Sequence, residues 1–141
     1  MIMEAITPYL LFNGSAAEAL AFYSKALDGK ILFQQTFGES PMPSSDDMKD
    51  KIMHASFQAD KLMIMVSDCP PDKAAVFGNS VSLSLNFADV ASIDKTFASL
   101  SEGANITMEL QDTFWGARFG MLIDKFGINW MFNHDKQPKD K

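Results

Sequence analysis

Cysteine is almost missing from this chain, since Cys69 is the only one among 141 residues. A single cysteine excludes an intramolecular disulfide and a zinc site built from cysteine thiolates. Pro70 and Pro71 follow it directly, which favours a partly covered loop thiol over a reactive one. The chemistry of the protein must therefore come from other side chains.

Clusters of basic residues are also missing. The chain carries 12 Lys and Arg against 18 Asp and Glu, which gives a formal net charge of −6 at pH 7. Such a surface offers little attraction to the phosphates of nucleic acid or to anionic lipid. We therefore expect neither nucleic acid nor a membrane as a partner.

Long apolar runs are missing as well. No stretch approaches the ~20 consecutive apolar residues that a membrane-spanning helix needs, and residues 1–11 lack the charged start and continuous apolar segment of a secretion signal. We therefore expect a cytoplasmic protein. The 47% of apolar residues suffice for one good core, but the chain is too short for two ordinary domains, so we expect one domain over residues 1–141.

The first half of the chain predicts the order strand, helix, strand, strand, strand. Hydrophobic spacing places these elements at residues 6–12, 15–27, 30–37, 52–58 and 62–67. Ser15 and Glu18 have the spacing of a capping box at the helix start, and Gly29 suits a left-handed residue at its end. Segment 38–51 is rich in proline, serine and acidic residues and predicts a mobile loop.

The second half repeats this order. Asp89 is expected to begin a helix that Gly103 ends, and strands are predicted at residues 80–87, 106–110, 119–123 and 128–133. A unit of about 70 residues has too little core to stand alone. We therefore expect two βαβββ modules in one domain, at about residues 1–69 and 80–134. The chain is polar from His134 onward, and we expect residues 135–141 to form a frayed tail.

Chemistry-bearing residues collect just before the last predicted hairpin. Asp112, Trp115 and Arg118 place an acid, a large aromatic and a fixed cation in one loop ahead of Phe119. Trp115 and Arg118 either stack as a structural pair or clamp a ligand, with the guanidinium binding a carboxylate or phosphate and the indole covering an apolar body. Asp112 is the only acidic partner that we expect for Arg118. Both interpretations stay open.

His54 is the candidate polar group of the first half. It lies mid-strand and is expected to share a face with Ile52 and Ser56 because side chains alternate. It is either a structural histidine hydrogen-bonded within the sheet or a pocket base or ligand anchor. Most of the ten methionines and twelve phenylalanines belong to the core, but methionines on strands would form an adaptable pocket wall: Met63, Met65, Met121 and Met131.

The chain resembles a known family on several of these motifs. Residues 112–120 (DTFWGARFG) and 124–127 (DKFG), together with 9–14 (YLLFNG), are similar to the PhnB-like branch of the glyoxalase/bleomycin-resistance superfamily, also called vicinal oxygen chelate proteins. The resemblance covers nearly the whole chain. It implies an α+β fold, with two tandem βαβββ modules forming one glyoxalase-like domain with concave mixed sheets, and commonly a homodimer, which light scattering would test.

Members of this branch often carry the label 3-demethylubiquinone-9 3-methyltransferase. We disfavour methyltransferase activity, because a nucleotide-type methyl donor usually binds at a glycine-rich turn between a strand and a helix. Here Gly116 and Gly120 lead into a predicted strand instead.

The resemblance also implies where a metal would bind. Enzymes of the superfamily typically hold a divalent ion with His, Gln or Glu from the first and fourth strands of each module. The corresponding positions here are Pro8, Met65, Ser84 and Met131. None of these is a usual ligand of zinc, magnesium or iron, so we expect no metal and no cofactor.

The sequence thus favours a metal-independent protein that binds a small apolar or aromatic molecule in the sheet cleft, with no catalytic residue assigned. The candidate binding residues are His54, Asp112, Trp115, Arg118 and Phe119. Two alternatives are open, namely a metal-dependent lyase, isomerase or dioxygenase of the glyoxalase kind and a resistance-type protein that sequesters a drug. Metal content separates the first two, and turnover separates the third from both.

Overall fold

The computed structural model describes residues 1–41 and 43–136. Apart from a short 3-10 helix at Pro71–Lys73, its elements are β1 (Tyr9–Phe12), α1 (Ala16–Ala26), β2 (Lys30–Thr36), β3 (Ile52–Ala59), β4 (Leu62–Asp68), β5 (Leu83–Asn86), α2 (Val90–Leu100), β6 (Asn105–Asp112), β7 (Ala117–Ile123) and β8 (Asn129–Asp135). The chain divides into two compact units, unit 1 at Met1–Val76 and unit 2 from Phe77 onward. Within the described residues, no helix has the length and apolar character needed to cross a membrane.

Each unit contains one four-stranded mixed sheet. The strand order is β1-β4-β3-β2 in unit 1 and β5-β8-β7-β6 in unit 2. The first strand of each unit runs parallel to its neighbour, and the other neighbours are antiparallel. The predicted α+β fold with two tandem βαβββ modules is therefore confirmed. That the two units form a single domain stays a prediction.

Each sheet buries one face against the helix of its own unit. In unit 1 the apolar side of α1 supplies Ala16, Ala19, Leu20, Tyr23 and Ala26 to a core with Ala55, Phe57, Ile64 and Val66 of the sheet. In unit 2 the corresponding residues are Ile93, Phe97 and Leu100 of α2 and Leu122, Trp130 and Phe132 of the sheet. Each large side chain buried in this way contributes about 1.5–3 kcal/mol. We call the other side of each sheet its helix-free face.

The start of α1 differs from the prediction. Ser15 occupies the N-cap position but its side chain makes no capping hydrogen bond, so the predicted capping box is wrong. Asp68, buried at the end of β4, takes over this task. Its Oδ1 accepts from the amides of Gly14 (2.9 Å) and Ala16 (3.0 Å), and its Oδ2 accepts from the amide of Ile52 (2.9 Å). A carboxylate held by the sheet satisfies the free amides at the helix start.

The end of α1 also differs. Asp28, and not Gly29, takes the positive φ of 53°. Gly29 is required for a different reason, because a Cβ added there would lie 2.4 Å from Cζ of Phe57. The predicted left-handed role of Gly29 is therefore wrong, and the residue serves close helix-to-sheet packing instead.

The limits of α2 agree with the prediction. Oδ1 of Asp89 accepts a hydrogen bond from the amide of Ser92 at 2.7 Å, which holds the pKa of Asp89 below its ordinary value. Gly103 follows the helix with a φ of +70°, as expected for a left-handed glycine.

Several element boundaries move. Strand β7 begins at Ala117, so Arg118 lies in a strand and not in the predicted loop. Strand β8 continues to Asp135, which places His134 and Asp135 in the sheet and not in a frayed tail. Residues 137–141 of that predicted tail lie outside the described residues. The predicted loop 38–51 contains no helix or strand in its described part, yet it buries Met48.

Candidate functional site

The helix-free face of unit 1 carries a row of mostly apolar side chains. Directly paired residues of neighbouring strands point to the same face, and the register aligns Phe33, Ser56, Met65 and Tyr9 across β2, β3, β4 and β1. Tyr9 is 46% exposed and Phe33 is 51% exposed. Two large aromatic rings are therefore accessible on this face of unit 1.

His54 lies between these rings. Its Nδ1 is 2.8 Å from Oη of Tyr9, and its ring centroid lies 5.7 Å from that of Tyr9 and 6.0 Å from that of Phe33. Partial burial raises the pKa of the Tyr9 hydroxyl, and a hydrogen bond with Ser67 opposes this rise. The structure thus gives His54 a phenol partner on β1, 45 residues away in the chain.

A row of three methionines crosses the helix-free face of unit 2. The register aligns Ser84, Met131, Met121 and Met108 across β5, β8, β7 and β6. Phe119 belongs to the next row, where it pairs with Asn133. These thioethers give an adaptable apolar surface, as the sequence suggested for Met121 and Met131.

Trp115 lies in the turn between β6 and β7 and meets Phe119. Its ring centroid is 6.3 Å from that of Phe119 and 5.0 Å from that of Phe114, in edge-to-face arrangements. The indole is 57% exposed and Phe114 is 97% exposed. Gly116 makes the turn possible with a φ of +84°. The structure therefore brings together two of the predicted site residues, Trp115 and Phe119.

Arg118 points to the opposite side of the same sheet. Its Nε lies 2.7 Å from Oδ1 of Asp94 in α2, and its Nη1 lies 3.1 Å from Oδ1 of Asp112. Adjacent strand residues face opposite ways, so Arg118 and Phe119 do not share a face. The prediction that Asp112 is the only acidic partner of Arg118 is wrong, because Asp94 is also in contact. Within the described residues, the Arg118–Trp115 stack is not formed.

The ion pairs around Arg118 shift two pKa values. The hydrogen bond to Asp94 is the largest cause of the raised pKa of Arg118, and the bond to Asp112 acts in the same direction. The pKa of Asp112 is lowered, first by Lys136, whose Nζ is 2.8 Å away, and then by Arg118. This cluster ties β6, β7 and the end of β8 to α2 within unit 2.

The ion pairs lead to a prediction for Arg118. We expect Arg118→Ala to lower the free energy of unfolding by about 1 kcal/mol, because partly exposed ion pairs contribute on this scale, and to leave ligand binding unchanged. Trp115→Ala should leave the free energy of unfolding nearly unchanged, since its indole is 57% exposed and holds little of the core. Thermal denaturation and titration with a fluorescent aromatic probe measure the two effects separately.

Asp94→Asn provides the control for Arg118. If Arg118 and Asp94 stabilise the fold through their contact, the double variant should lose less unfolding free energy than the two single variants lose in sum. An Arg118→Ala variant that keeps its melting temperature but loses probe binding would restore the predicted ligand clamp.

The residues at the expected metal positions do not fit a divalent ion. The register places Tyr9, next to Pro8, opposite Met65, and Ser84 opposite Met131. Thioether and neutral hydroxyl groups are poor ligands for zinc, magnesium or ferrous iron. Across residues 1–41 and 43–136, no group of three or more His, Cys, Asp or Glu is arranged to hold a metal.

Comparisons with known proteins agree with this fold. A model of the Glyoxalase/Bleomycin resistance protein/Dioxygenase superfamily matches residues 5–132. Protein YjdN of Escherichia coli K12 is 32% identical, over 94% of this chain and 96% of its own length. Protein PA1353 of Pseudomonas aeruginosa has a crystal structure with a TM-score of 0.85 and 40% identity, covering 94% of this chain and 98% of that one.

A third relative carries the methyltransferase label. The PhnB protein of Bacillus cereus, labelled a 3-demethylubiquinone-9 3-methyltransferase, is 26% identical with a TM-score of 0.79 and covers 93% of this chain and 99% of its own. With the repeated βαβββ unit, the family match over residues 5–132 and the near-complete coverage of its relatives, the chain belongs to the glyoxalase/bleomycin resistance/dioxygenase superfamily.

Proposed function

We propose that this protein binds a small apolar or aromatic molecule on the helix-free face of unit 1, without a metal ion. The observation that carries the proposal is the exposed aromatic row of that face, with His54 hydrogen-bonded to Tyr9 between two rings. Ligand sites are typically apolar surfaces with a few well-placed polar groups. Exposed apolar patches on a folded unit also commonly mark a binding surface.

The two central rows of this face, which contain no lysine, arginine, aspartate or glutamate, support an uncharged ligand. Its two central rows contain Phe33, Ser56, Met65 and Tyr9 in the first and Gln35, His54, Ser67 and Leu11 in the second. Apart from His54 and the Tyr9 phenol, these residues are not ionisable. A carboxylate or phosphate would have no lysine or arginine in these rows to pair with.

The donor set argues against the metal-dependent alternative. Pro8, Met65, Ser84 and Met131 stand where the resemblance to the superfamily places the metal ligands of a lyase or dioxygenase of the glyoxalase kind, and none of them is a usual ligand of a divalent ion. A resistance-type protein that sequesters a drug would use the same apolar face and would differ only in lacking turnover. Trp115 and Phe119 stay predicted ligand contacts in unit 2.

The homodimer and the cytoplasmic location also stay predictions. Edge strand β2 exposes Ile31, Leu32 and Phe33, and an exposed apolar edge favours pairing with another chain. Light scattering that shows only a monomer of 15.6 kDa would exclude the dimer.

The experiment is a titration with N-phenyl-1-naphthylamine, an uncharged aromatic probe whose fluorescence rises in apolar surroundings. The protein is first treated with a chelator, and its metal content is measured. We expect saturable binding without stoichiometric metal. A signal that appears only after a divalent ion is added would contradict the proposal, as would the absence of saturable binding.

A pair of matched variants locates the site. Phe33→Ala should weaken probe binding roughly fivefold or more, because covering part of an aromatic ring contributes about 1 kcal/mol. Phe114→Ala makes the same change at the 97% exposed turn of unit 2 and should leave binding unchanged. Equal affinities of the two variants would remove the site from the face of unit 1.

A further inference from the structure

The methionine row of unit 2 places three thioether groups on neighbouring strands. The register sets Met121 of β7 directly opposite Met108 of β6 on one side and Met131 of β8 on the other. Residues paired in this way project to the same face and have Cβ atoms about 4.5–5.5 Å apart. Because each sulfur lies beyond two rotatable bonds, Met108 and Met131 can lean toward Met121 and place three sulfur atoms around one point.

The row is accessible to solvent and carries no charge. Met108 is 37% exposed, and Met121 and Met131 are half-buried. The fourth member of the row is Ser84, so the row contains no carboxylate, lysine or arginine. Strand propensity does not account for three aligned methionines, since strands favour β-branched and aromatic residues. The property that these three side chains share is a soft, polarisable sulfur donor.

A neutral set of sulfur donors is selective among metal ions. Thioethers are soft ligands that suit cuprous copper, whereas magnesium, calcium and manganese prefer carboxylates, carbonyls and water. Zinc sites in proteins use cysteine, histidine and carboxylate ligands, and the methionine row supplies none of these. A singly charged ion also loses less hydration free energy than a divalent ion when it enters a site without negative charge.

We infer that Met108, Met121 and Met131 bind one cuprous ion on the helix-free face of unit 2. The inference goes beyond the proposed function, because it concerns the other unit and an ion in place of an apolar molecule. Phe119, two residues before Met121 on the same face of β7, adds an apolar ring beside the sulfur atoms. The formal net charge of −6 favours the approach of a cation.

The site is located by NMR of the full chain with ¹³C in the methyl groups of its ten methionines. The probe is silver(I), a diamagnetic ion that shares the preference of cuprous copper for soft ligands. Cys69 is replaced by serine, because a thiolate would compete with the thioethers for the ion. We expect the signals of Met108, Met121 and Met131 to shift together and to saturate at one silver ion per chain. Zinc should shift none of them.

The affinity for cuprous copper itself is measured without oxygen, in the same Cys69→Ser background, by competition with the chelator bicinchoninate. Met121→Leu should weaken binding roughly tenfold or more, because even groups that only support a metal ligand contribute on this scale. Leucine keeps nearly the volume and the apolar character of methionine, so the fold is retained. Met65→Leu is the matched control in unit 1, where the row of Met65 contains no second methionine, and should leave the affinity unchanged.

Two results would overturn the inference. One is a set of silver shifts confined to exposed methionines such as Met1 and Met3, with the signals of the row unchanged. The other is an equal copper affinity of Met121→Leu and Met65→Leu. If thermal melting shows that Met121→Leu is unfolded, Met108→Leu carries the same test, since its side chain is partly exposed. The titration with N-phenyl-1-naphthylamine tests the proposed function separately, so either proposal can fail alone.

Discussion

Replacing Asp124 by alanine is expected to lower the free energy of unfolding by about 3 kcal/mol or more and the melting temperature by roughly 10 °C. The carboxylate is buried at the turn between β7 and β8. Its Oδ1 accepts from the amides of Phe126 (2.8 Å) and Ile128 (3.1 Å), and its Oδ2 accepts from Nε1 of Trp130 (2.8 Å). Alanine removes the acceptor that these three donors share. One of the donors, the indole N–H of Trp130, lies inside the core of unit 2, where losing the acceptor costs most.

Asp124→Asn separates the turn from the indole. The amide oxygen can still serve the two backbone donors, but its NH₂ group would face the N–H of Trp130, donor against donor. We expect a loss of about 2 kcal/mol. In a Trp130→Phe background, where the indole N–H is gone, Asp124→Asn should lower the unfolding free energy by less. The difference between the two losses is the coupling energy of Asp124 and Trp130.

Asp60→Asn is the matched control for this prediction. Asp60 is exposed and has a φ of 51°, a conformation that asparagine also tolerates. Its substitution should change the unfolding free energy by less than about 0.5 kcal/mol. If chemical denaturation gives Asp124→Ala the same unfolding free energy as this control, the buried carboxylate does not stabilise the turn.

Local patterns were enough to predict the repeated fold. The hydrophobic spacing of α1 and α2, the cap at Asp89 and the glycine after α2 each depend on neighbours within a few residues. Their repetition in the two halves then fixed the order of elements. Strand limits were less accurate, because pairing and not composition decides where a strand stops. Strand β8, for example, continues through His134 to Asp135, where it still pairs with β7.

The predictions that proved wrong concern contacts between residues that are distant in the chain. Asp68 replaces the expected capping box, although 52 residues separate it from Ala16. Gly29 is constrained by Phe57 of a strand that follows the polar loop. Both effects arise only when β3 and β4 pack beside α1. A propensity that is read within one turn of helix cannot contain them.

In the candidate site, too, contacts between sequence neighbours were predicted and contacts between distant residues were not. Trp115 and Phe119 are close in sequence and meet in the structure. Arg118 lies between them in sequence, but the alternation of β7 turns it toward Asp94 on α2. Tyr9 was missed because its contact with His54 depends on the order β1-β4-β3. An aromatic residue in a predicted strand was the only signal, and it did not identify the partner.

Ser56→Asp is expected to have the largest effect on ligand binding, weakening the affinity for N-phenyl-1-naphthylamine by roughly 30-fold or more. Ser56 is half-buried on the helix-free face, where it pairs with Phe33 on one side and with Met65 on the other. A ligand lying on this row would cover the new carboxylate. Removing an unpaired charge from water costs at least about 2 kcal/mol, which corresponds to this loss of affinity.

Two variants separate charge from shape and position. Ser56→Asn introduces a side chain of nearly the same size without charge, so it should weaken the probe only a fewfold. Ala17→Asp adds the same charge on the exposed side of α1, across the sheet from the proposed site, and should leave binding unchanged. Thermal melts confirm that each variant is folded. Folded Ser56→Asp protein that binds the probe as tightly as Ala17→Asp would show that the ligand does not lie on this face, since no bound molecule would then exclude water from the carboxylate.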